Sequence, residues 1–281
     1  MTLSCVVLAG GLGTRMRPLT ETVPKALVPV AGRPFLDWQL RLLAGEGVRD
    51  VVLCVGYRGD MVRAFAGDGS AWGLRLRWVD EGRELLGTAG ALRAALEAGT
   101  LASEFFVLYG DSYLPGAVRR VEAAWAACEA PALMAVMRNE DRWDRSNVAY
   151  RSGRVVLYNK SRVPSPAGVL RWIDHGISVL RRGLVGDRVP SGVRADLGDL
   201  MHRLSLEGLL AGVEMTERFY EAGSPAGLRD LERYLSLEGR PPAPVSTSQG
   251  TRASRARATS QKTSTHSGRR GPTGRASVTR T

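Results

Sequence analysis

The fold is decided by the stretch Leu3-Ser4-Cys5-Val6-Val7-Leu8-Ala9-Gly10-Gly11-Leu12-Gly13-Thr14-Arg15, in which an apolar run leads directly into three glycines. A short apolar run bounded by glycine is typical of a buried strand. Glycines that follow such a strand let the backbone approach a ligand closely and point amide hydrogens at an anion. The stretch therefore predicts an α/β fold whose first strand ends in an anion-binding loop.

The segments that follow alternate between apolar strands and amphipathic helices. This alternation predicts a Rossmann-like, mainly parallel mixed sheet flanked by helices. The predicted strands are Leu3 to Ala9, Asp50 to Val55, Arg75 to Val79, Glu104 to Tyr109, Ala132 to Met137 and Trp172 to Leu180, with a hairpin over residues 146–159 and a last strand near Arg218 to Glu221. Helices are predicted from Pro34, around Asp196 to Leu206, and from Ser224-Pro225.

Most of the net charge of +11 belongs to the C-terminal part of the chain. Of the 39 basic residues, nine lie in residues 240–281, which have no acidic residue, and this leaves 30 basic against all 28 acidic residues in 1–239. The segment 240–281 has no aromatic residue and few aliphatic ones, so it cannot repay the entropy of ordering. We predict one folded domain over residues 1–239 and a disordered basic tail over 240–281. Nucleic acid would bind this tail only weakly, if at all.

Composition excludes several kinds of protein. No apolar stretch approaches the roughly 18 residues that a membrane span needs, and the run Leu3 to Ala9 lacks a basic leader. The three cysteines are far apart, which argues against a disulfide framework and against a paired-cysteine zinc site. The three histidines are too scattered for a close-spaced metal motif. We expect a cytoplasmic protein without a secretion signal, and its oligomeric state stays open.

The glycine loop matches neither of the two common phosphate-binding motifs. A dinucleotide fold places glycines at the first, third and sixth positions, and a Walker loop ends in Gly-Lys-Ser or Gly-Lys-Thr. Gly10, Gly11 and Gly13 follow neither spacing. The loop carries Arg15 instead, whose planar guanidinium suits phosphate oxygens, and Lys25 adds a compact charge ten residues further on. This pair of cations indicates a triphosphate-binding site.

The loop resembles the start of the sugar-1-phosphate nucleotidyltransferase family, which runs Leu-Ala-Gly-Gly-x-Gly-Thr-Arg, then Pro-Leu-Thr, then Pro-Lys. The chain keeps every one of these positions in residues 8–15, 18–20 and 24–25. The family includes mannose-1-phosphate and heptose-1-phosphate guanylyltransferases and glucose-1-phosphate thymidylyltransferase. The resemblance implies that Arg15 holds the triphosphate at the α-phosphorus and that Lys25 bridges the donor and acceptor phosphates. It also implies nucleotide contacts from Leu8, Gly10, Gly11, Gly13 and Thr14.

Two carboxylates are candidate ligands for Mg²⁺, the cofactor that the resemblance implies. Asp111 follows the predicted strand Glu104 to Tyr109 at the carboxyl edge of the sheet, where open α/β folds bind ligands. Glu221 aligns with the acid of the family segment Asp-x-Gly-Thr-Pro, which here reads Glu-Ala-Gly-Ser-Pro. The structural alternatives are a turn aspartate that bonds its own backbone and a half-exposed acid before a helix.

The base and the sugar have separate candidate segments. Gly87-Thr88-Ala89 opens a helix with small residues, which suits either a base lying against the backbone or tight helix packing, and the family uses such a segment for the base. On the sugar side, the resemblance implies a contact from Lys160, which lies in Asn-Lys-Ser where the family often has Glu-Lys-Pro. It also implies contacts from Asp174 and Gly176, which lie in Asp-His-Gly where many members have Asn-Ala-Gly. The departures from these motifs leave the sugar unidentified, and the base is equally open.

As a whole, the resemblance implies an enzyme of the EC 2.7.7 type that joins a nucleoside triphosphate and a sugar 1-phosphate. Its products are an NDP-sugar and pyrophosphate, with Arg15, Lys25 and Asp111 as the catalytic residues. Two alternatives stay open. One is a cytidylyltransferase that acts on a phosphorylated alcohol such as choline phosphate, and the other is a non-catalytic relative that senses sugar nucleotides.

Overall fold

The computed structural model describes residues 2–82, 84–160 and 169–237. Their strands are β1 (Ser4–Leu8), β2 (Pro29–Val30), β3 (Arg33–Pro34), β4 (Asp50–Val55), β5 (Arg75–Asp80), β6 (Glu104–Tyr109), β7 (Ser112–Tyr113), β8 (Ala132–Arg138), β9 (Val148–Arg151), β10 (Arg154–Tyr158), β11 (Trp172–Arg181), β12 (Leu210–Met215) and β13 (Tyr220–Glu221). Their α-helices are α1 (Phe35–Gly45), α2 (Gly59–Ala66), α3 (Gly87–Glu97), α4 (Ala117–Trp125), α5 (Arg182–Arg188), α6 (Leu197–Leu206) and α7 (Pro225–Leu237).

Nine of these strands form one mixed sheet in the order β5-β4-β1-β6-β11-β8-β12-β10-β9. Strands β5, β4, β1 and β6 run parallel to one another, and β12 runs parallel to β8. Strand β11 lies antiparallel between β6 and β8, and β9 and β10 form the hairpin predicted over residues 146–159. The predicted α/β class with a mixed, Rossmann-like sheet is therefore confirmed.

The helices cover both faces of the sheet because successive side chains of each buried strand point to opposite sides. In β1, Cys5 and Val7 belong to the apolar cluster that includes α1, α2 and α4. Val6 and Leu8 belong to the cluster that includes α3, α5 and α6. Burying each large apolar side chain contributes about 1.5–3 kcal/mol, so the alternation within β1 commits the strand to the centre of the domain.

The C-terminal part of the domain differs from the prediction in two respects. Strand β12 is absent from the predicted set, because its short segment holds Gly212 among half-buried residues and lacks a strand pattern. Gly212 is needed there, since a Cβ at this position would stand 2.7 Å from the ring of Tyr150. The strand predicted near Arg218 to Glu221 is the two-residue β13, which pairs with β7 outside the main sheet.

A third apolar cluster holds β13 in place. Leu231 and Leu235 of α7 pack with Phe35 of α1, and the same cluster contains Tyr113 of β7 and Ala222, which follows β13. The last helix thereby fastens the segment around Glu221 beside the segment that follows β6. This packing matters because it brings residues that are distant in sequence to one edge of the sheet.

The predicted disordered tail over residues 240–281 lies outside the described residues, so the tail, its weak affinity for nucleic acid and the boundary near Gly239 stay predictions. Among the described residues, every helix is too short or too polar to cross a membrane.

Candidate active site

The candidate site lies where β1 and β6 end side by side. Leu8 pairs with Tyr109, and the N–H of Gly110 donates to the carbonyl oxygen of Leu8 at 2.9 Å. A Cβ on residue 110 would stand 2.6 Å from that carbonyl oxygen, so only glycine fits. The glycine loop after β1 and Asp111 after β6 are therefore neighbours at the carboxyl edge of the sheet, as the sequence predicted.

The loop after β1 folds back on itself before it reaches Lys25. Gly13 has a positive φ of 63°, and its carbonyl oxygen accepts a hydrogen bond from the Thr20 hydroxyl at 2.8 Å. A Cβ at position 13 would also meet Thr20 at 3.0 Å and Lys25 at 3.3 Å. The conformation of Gly13 thus lets the loop close and brings Lys25 toward the sheet edge.

Charged side chains converge at this edge. The ammonium of Lys25 donates to Asp111 Oδ2 at 2.5 Å. The point where a Cβ would stand on Gly223 lies 3.3 Å from Arg15 Nη2, 3.3 Å from Asp111 Oδ2 and 3.3 Å from Glu221 Cδ. One cation and two carboxylates therefore lie around one position, and Lys25 reaches the site through its contact with Asp111.

Main-chain hydrogen bonds hold the segments of Asp111 and Glu221 side by side. Glu221 pairs with Ser112 across β13 and β7, and the N–H of Ala222 donates to the Asp111 carbonyl oxygen at 2.8 Å. Burial raises the pKa of the Glu221 carboxyl, and the Asp111 charge raises it further. Arg15 and Lys25 oppose this rise in the Glu221 pKa. The site thus holds a desolvated acid, Glu221, beside the Asp111 carboxylate, and an additional cation would stabilise this pair.

Two cavities meet at Asp111 and Tyr109, which line both of them. The nucleotide-side cavity has a volume of about 370 Å³ and runs along the glycine loop toward α3. Among the predicted nucleotide-binding residues, seven line it: Leu8, Gly10, Gly11, Gly13, Thr14, Gly87 and Thr88. The eighth predicted residue, Ala89, does not line the cavity. It is buried, and its N–H donates to the carbonyl oxygen of Ala195 at 3.0 Å.

The acceptor-side cavity has a volume of about 350 Å³ and lies across β11. Lys160, Asp174 and Gly176 line it, together with Arg15 and Glu221. Burial raises the pKa of the Asp174 carboxyl, and the Lys160 charge opposes this rise. Asp174 also accepts hydrogen bonds from the Tyr158 hydroxyl at 3.2 Å and from the Gly176 N–H at 2.9 Å. The predicted sugar-side residues therefore lie together, opposite the glycine loop.

His175 is the buried member of this strand segment, with 1% of its surface exposed. Its Nε2–H donates to the Glu217 carbonyl oxygen at 3.0 Å, and burial lowers the pKa of the ring to about 4. As the pH falls from 6.5 towards 4, the unfolded chain binds a proton on this ring that the folded protein does not bind. The free energy of unfolding therefore decreases as the pH falls through this range. Between pH 6.5 and pH 4 this histidine should remove on the order of 3 kcal/mol of unfolding free energy.

Chemical denaturation across this pH range measures the effect. The variant His175→Phe lacks the titrating ring, so its unfolding free energy should fall less steeply from pH 6.5 to pH 4 than that of the wild type. The acids titrate in both proteins and cancel in the comparison. Parallel pH profiles would contradict the assignment.

Three residues that support the site were not predicted from the sequence. Gln39 of α1 is fully buried, and its Nε2 donates to the carbonyl oxygens of Tyr109 and Ser112 at 3.0 and 2.9 Å, bracing the turn that carries Asp111. Arg218 pairs with an aspartate of α7 and lies between the rings of Trp143 and Tyr220 at the acceptor-side cavity. Glu81 lines the nucleotide-side cavity. Of these three residues, Gln39 had a sequence signal, because it is a polar residue within the apolar stripe of α1.

The substitution Gly223→Ala tests the convergence directly. Its methyl group would stand 3.3 Å from each of three charged groups, closer than most carbon contacts. A 1 Å misplacement of catalytic groups costs roughly 10²-fold in rate. We therefore expect kcat of Gly223→Ala to fall by tens of fold. Gly183→Ala is the matched control, because nothing lies within 4 Å of its added methyl. Equal steady-state rates for the two variants would show that the space around Gly223 is not part of the site.

Comparison with known proteins shows what this chain is similar to. Residues 5–231 match the MobA-like NTP transferase domain. A mannose-1-phosphate guanylyltransferase of Mycobacterium tuberculosis is 41% identical over 115 residues, which cover 41% of this chain and 31% of the relative. A glucose-1-phosphate thymidylyltransferase of Streptomyces antibioticus is 40% identical over 118 residues, which cover 41% of this chain and 32% of the relative. The chain thus spans less than half the length of these relatives.

A solved structure extends the similarity to most of the domain. The inositol-1-phosphate CTP transferase from T. maritima matches with a TM-score of 0.69 at 21% identity, over 85% of this chain and 98% of that one. Similarity at this level of identity shows a shared fold. Together with the relatives, it confirms the resemblance on which the sequence analysis relied.

Proposed function

The chain belongs to the MobA-like NTP transferase domain family, and on this premise we propose that it transfers a nucleotidyl group from a nucleoside triphosphate to a sugar 1-phosphate. The products are an NDP-sugar and pyrophosphate. The relatives named above carry out reactions of this kind by their names, with different bases and sugars. The proposal therefore concerns the reaction class, and the base is treated separately below.

One observation carries the proposal. Arg15, Asp111 and Glu221 surround Gly223 at the point where the two cavities meet. A nucleotide in one cavity and a sugar phosphate in the other would place their phosphates at this junction. Phosphoryl transfer asks a protein mainly for alignment and for neutralisation of charge, and the junction supplies both.

The two acids fit a hard divalent cation. Asp111 and Glu221 offer carboxylate oxygens beside each other, and the Glu221 carboxyl is desolvated next to the Asp111 charge. Among residues 2–82, 84–160 and 169–237, no group of three or more acids, histidines or cysteines is placed to hold a metal. A pair of carboxylates suits Mg²⁺, which usually keeps several waters and binds substrate phosphates as well. When bound there, Mg²⁺ would neutralise phosphate charge.

The reaction needs no covalent intermediate with the protein. An oxygen of the acceptor phosphate forms a bond to the α-phosphorus, the bond from this phosphorus to the bridging oxygen of the β-phosphate breaks, and pyrophosphate leaves with the electron pair. The acceptor phosphate is largely ionised at neutral pH, because its second pKa is about 6, so no general base is required. Arg15 stabilises the charge that develops at the α-phosphorus, and Lys25 lies between donor and acceptor phosphates.

Pyrophosphate release tests the proposal. The full chain is incubated with Mg²⁺, the common nucleoside triphosphates and a set of sugar 1-phosphates, with choline phosphate as an additional acceptor. We expect pyrophosphate only when a triphosphate and a sugar 1-phosphate are both present. Turnover with CTP and choline phosphate alone would replace the proposal by the cytidylyltransferase alternative. Nucleotide binding without turnover for any pair would favour a sensing protein.

A further inference from the structure

Glu81 is an acid in the nucleotide-side cavity to which the proposed reaction gives no role. It directly follows β5, and its N–H donates to the Val55 carbonyl oxygen at 2.8 Å, which continues the pairing of β5 with β4. Its backbone is therefore fixed at the carboxyl edge of the sheet. Its side chain is half-buried and lines the cavity.

The carboxylate of Glu81 lies over the glycine loop. Its Oε1 is 2.0 Å from the point where a Cβ would stand on Gly10, so a side chain at position 10 would displace the carboxylate from this place. Its Oε2 accepts a hydrogen bond from the Leu86 N–H at 3.2 Å, which anchors the side chain in this orientation. Among the described residues, Oε1 accepts no hydrogen bond. Burial raises the pKa of this carboxyl, the Asp80 charge raises it further, and the hydrogen bond from Leu86 opposes the rise.

The sheet order assigns Glu81 to the end of the cavity away from the phosphates. Asp111 follows β6, Glu81 follows β5, and β1 and β4 lie between them. Three strand spacings amount to about 14 Å. A nucleotide whose phosphates lie beside Asp111 and Lys25 would therefore extend along the glycine loop with its base toward Glu81, Gly87 and Thr88. The apolar side chain of Leu85 lines the same end.

An ionised carboxylate accepts hydrogen bonds and cannot donate them. Guanine is the common base that presents two adjacent donors, N1–H and the N2 amino group, on its Watson–Crick edge. Thymine and uracil present one N–H between two carbonyl oxygens, and adenine and cytosine present one amino group beside a ring nitrogen that accepts. A carboxylate at the base end would pair fully with guanine and would repel an acceptor atom of each of the others.

We propose that Glu81 selects guanine, so that the triphosphate used by this chain is GTP. The inference rests on the proposed function for the identity of the ligand class, and it adds the base. The absence of a side chain on Gly10 leaves the space that the carboxylate occupies.

The test compares kcat/KM for GTP, dTTP, UTP, CTP and ATP in the wild type, Glu81→Gln and Glu84→Gln. The wild type should prefer GTP by about 10²-fold or more. Glutamine keeps the size of the side chain and an oxygen for Leu86, but it offers one donor and one acceptor. Glu81→Gln should therefore lose about 10–100-fold on GTP and lose much less, or gain, on dTTP and UTP. Glu84 is exposed in the same segment, so Glu84→Gln should keep the wild-type preference.

Equilibrium binding of the same triphosphates separates the two proposals. Preferred turnover of another triphosphate, or an unchanged base preference in Glu81→Gln, would overturn the role of Glu81 and leave the proposed function intact. Absence of turnover with every triphosphate would overturn the proposed function. If GTP then still bound most tightly, and Glu81→Gln removed that preference, the role of Glu81 would stand.

Discussion

Replacing Asp111 with Asn should lower kcat for nucleotidyl transfer by about three orders of magnitude, because a bound metal supplies several kcal/mol of charge stabilisation in the transition state. The substitution keeps the size of the side chain and removes its charge. It also removes the charge that pairs with Lys25 at 2.5 Å and leaves Glu221 without its neighbouring carboxylate. The Mg²⁺ concentration needed for half-maximal rate should rise as well. Pyrophosphate release measured over a range of Mg²⁺ concentrations reports both effects.

A second aspartate serves as the control for this prediction. Asp187 lies on the exposed surface of α5, so Asp187→Asn removes the same charge far from the sheet edge and should leave kcat unchanged. Thermal unfolding of both variants checks that the domain stays folded. An Asp111→Asn enzyme that works within threefold of the wild type would exclude this carboxylate as a metal ligand.

Replacing Arg15 with Ala should lower kcat by about 10²- to 10³-fold, which is the range for loss of one preorganised donor to a developing charge. Arg15 is exposed in the loop after β1, and its guanidinium lies beside the Gly223 position. Its removal should therefore leave stability within about 0.5 kcal/mol. Single-turnover rates with saturating triphosphate measure the chemical step.

Arg15→Lys distinguishes charge from geometry at this position. Lysine keeps the charge but loses the planar group that can bind two oxygens at once. We expect Arg15→Lys to recover part of the lost rate and to remain well below the wild type. A rise in KM with an unchanged kcat for Arg15→Ala would mean that Arg15 binds substrate and transition state equally, and its proposed role at the α-phosphorus would then be wrong.

The parts of the site that are local in sequence could be predicted. The loop after β1 follows its strand directly, and its glycines and cations lie within residues 10–25, so an anion-binding loop could be predicted from the residues, and the family resemblance implied the role of each. Asp111 could be predicted because an acid at a strand end lies at the ligand-binding edge of such a sheet. Its approach to Lys25 also requires β1 and β6 to be neighbours, which the strand order of the sheet shows.

The other contacts of the site depend on tertiary structure that leaves no periodic pattern, although the family resemblance did indicate Glu221. Glu221 approaches Asp111 because two short segments, β7 and β13, pair outside the main sheet under α7. Glu81 turns over Gly10 because the segment after β5 brings the Leu86 N–H to its carboxylate. Neither pairing has a periodicity that could be read along the chain, since each involves two or three residues.

Binding of a non-hydrolysable guanosine triphosphate analogue with Mg²⁺, followed by crystal structure determination, tests the central claim most directly. The metal should contact oxygens of both Asp111 and Glu221, the α-phosphate should lie beside Arg15, and the base should lie at the Gly87 end of the nucleotide-side cavity. Phosphates bound away from the loop after β1, or a metal that contacts neither carboxylate, would contradict it.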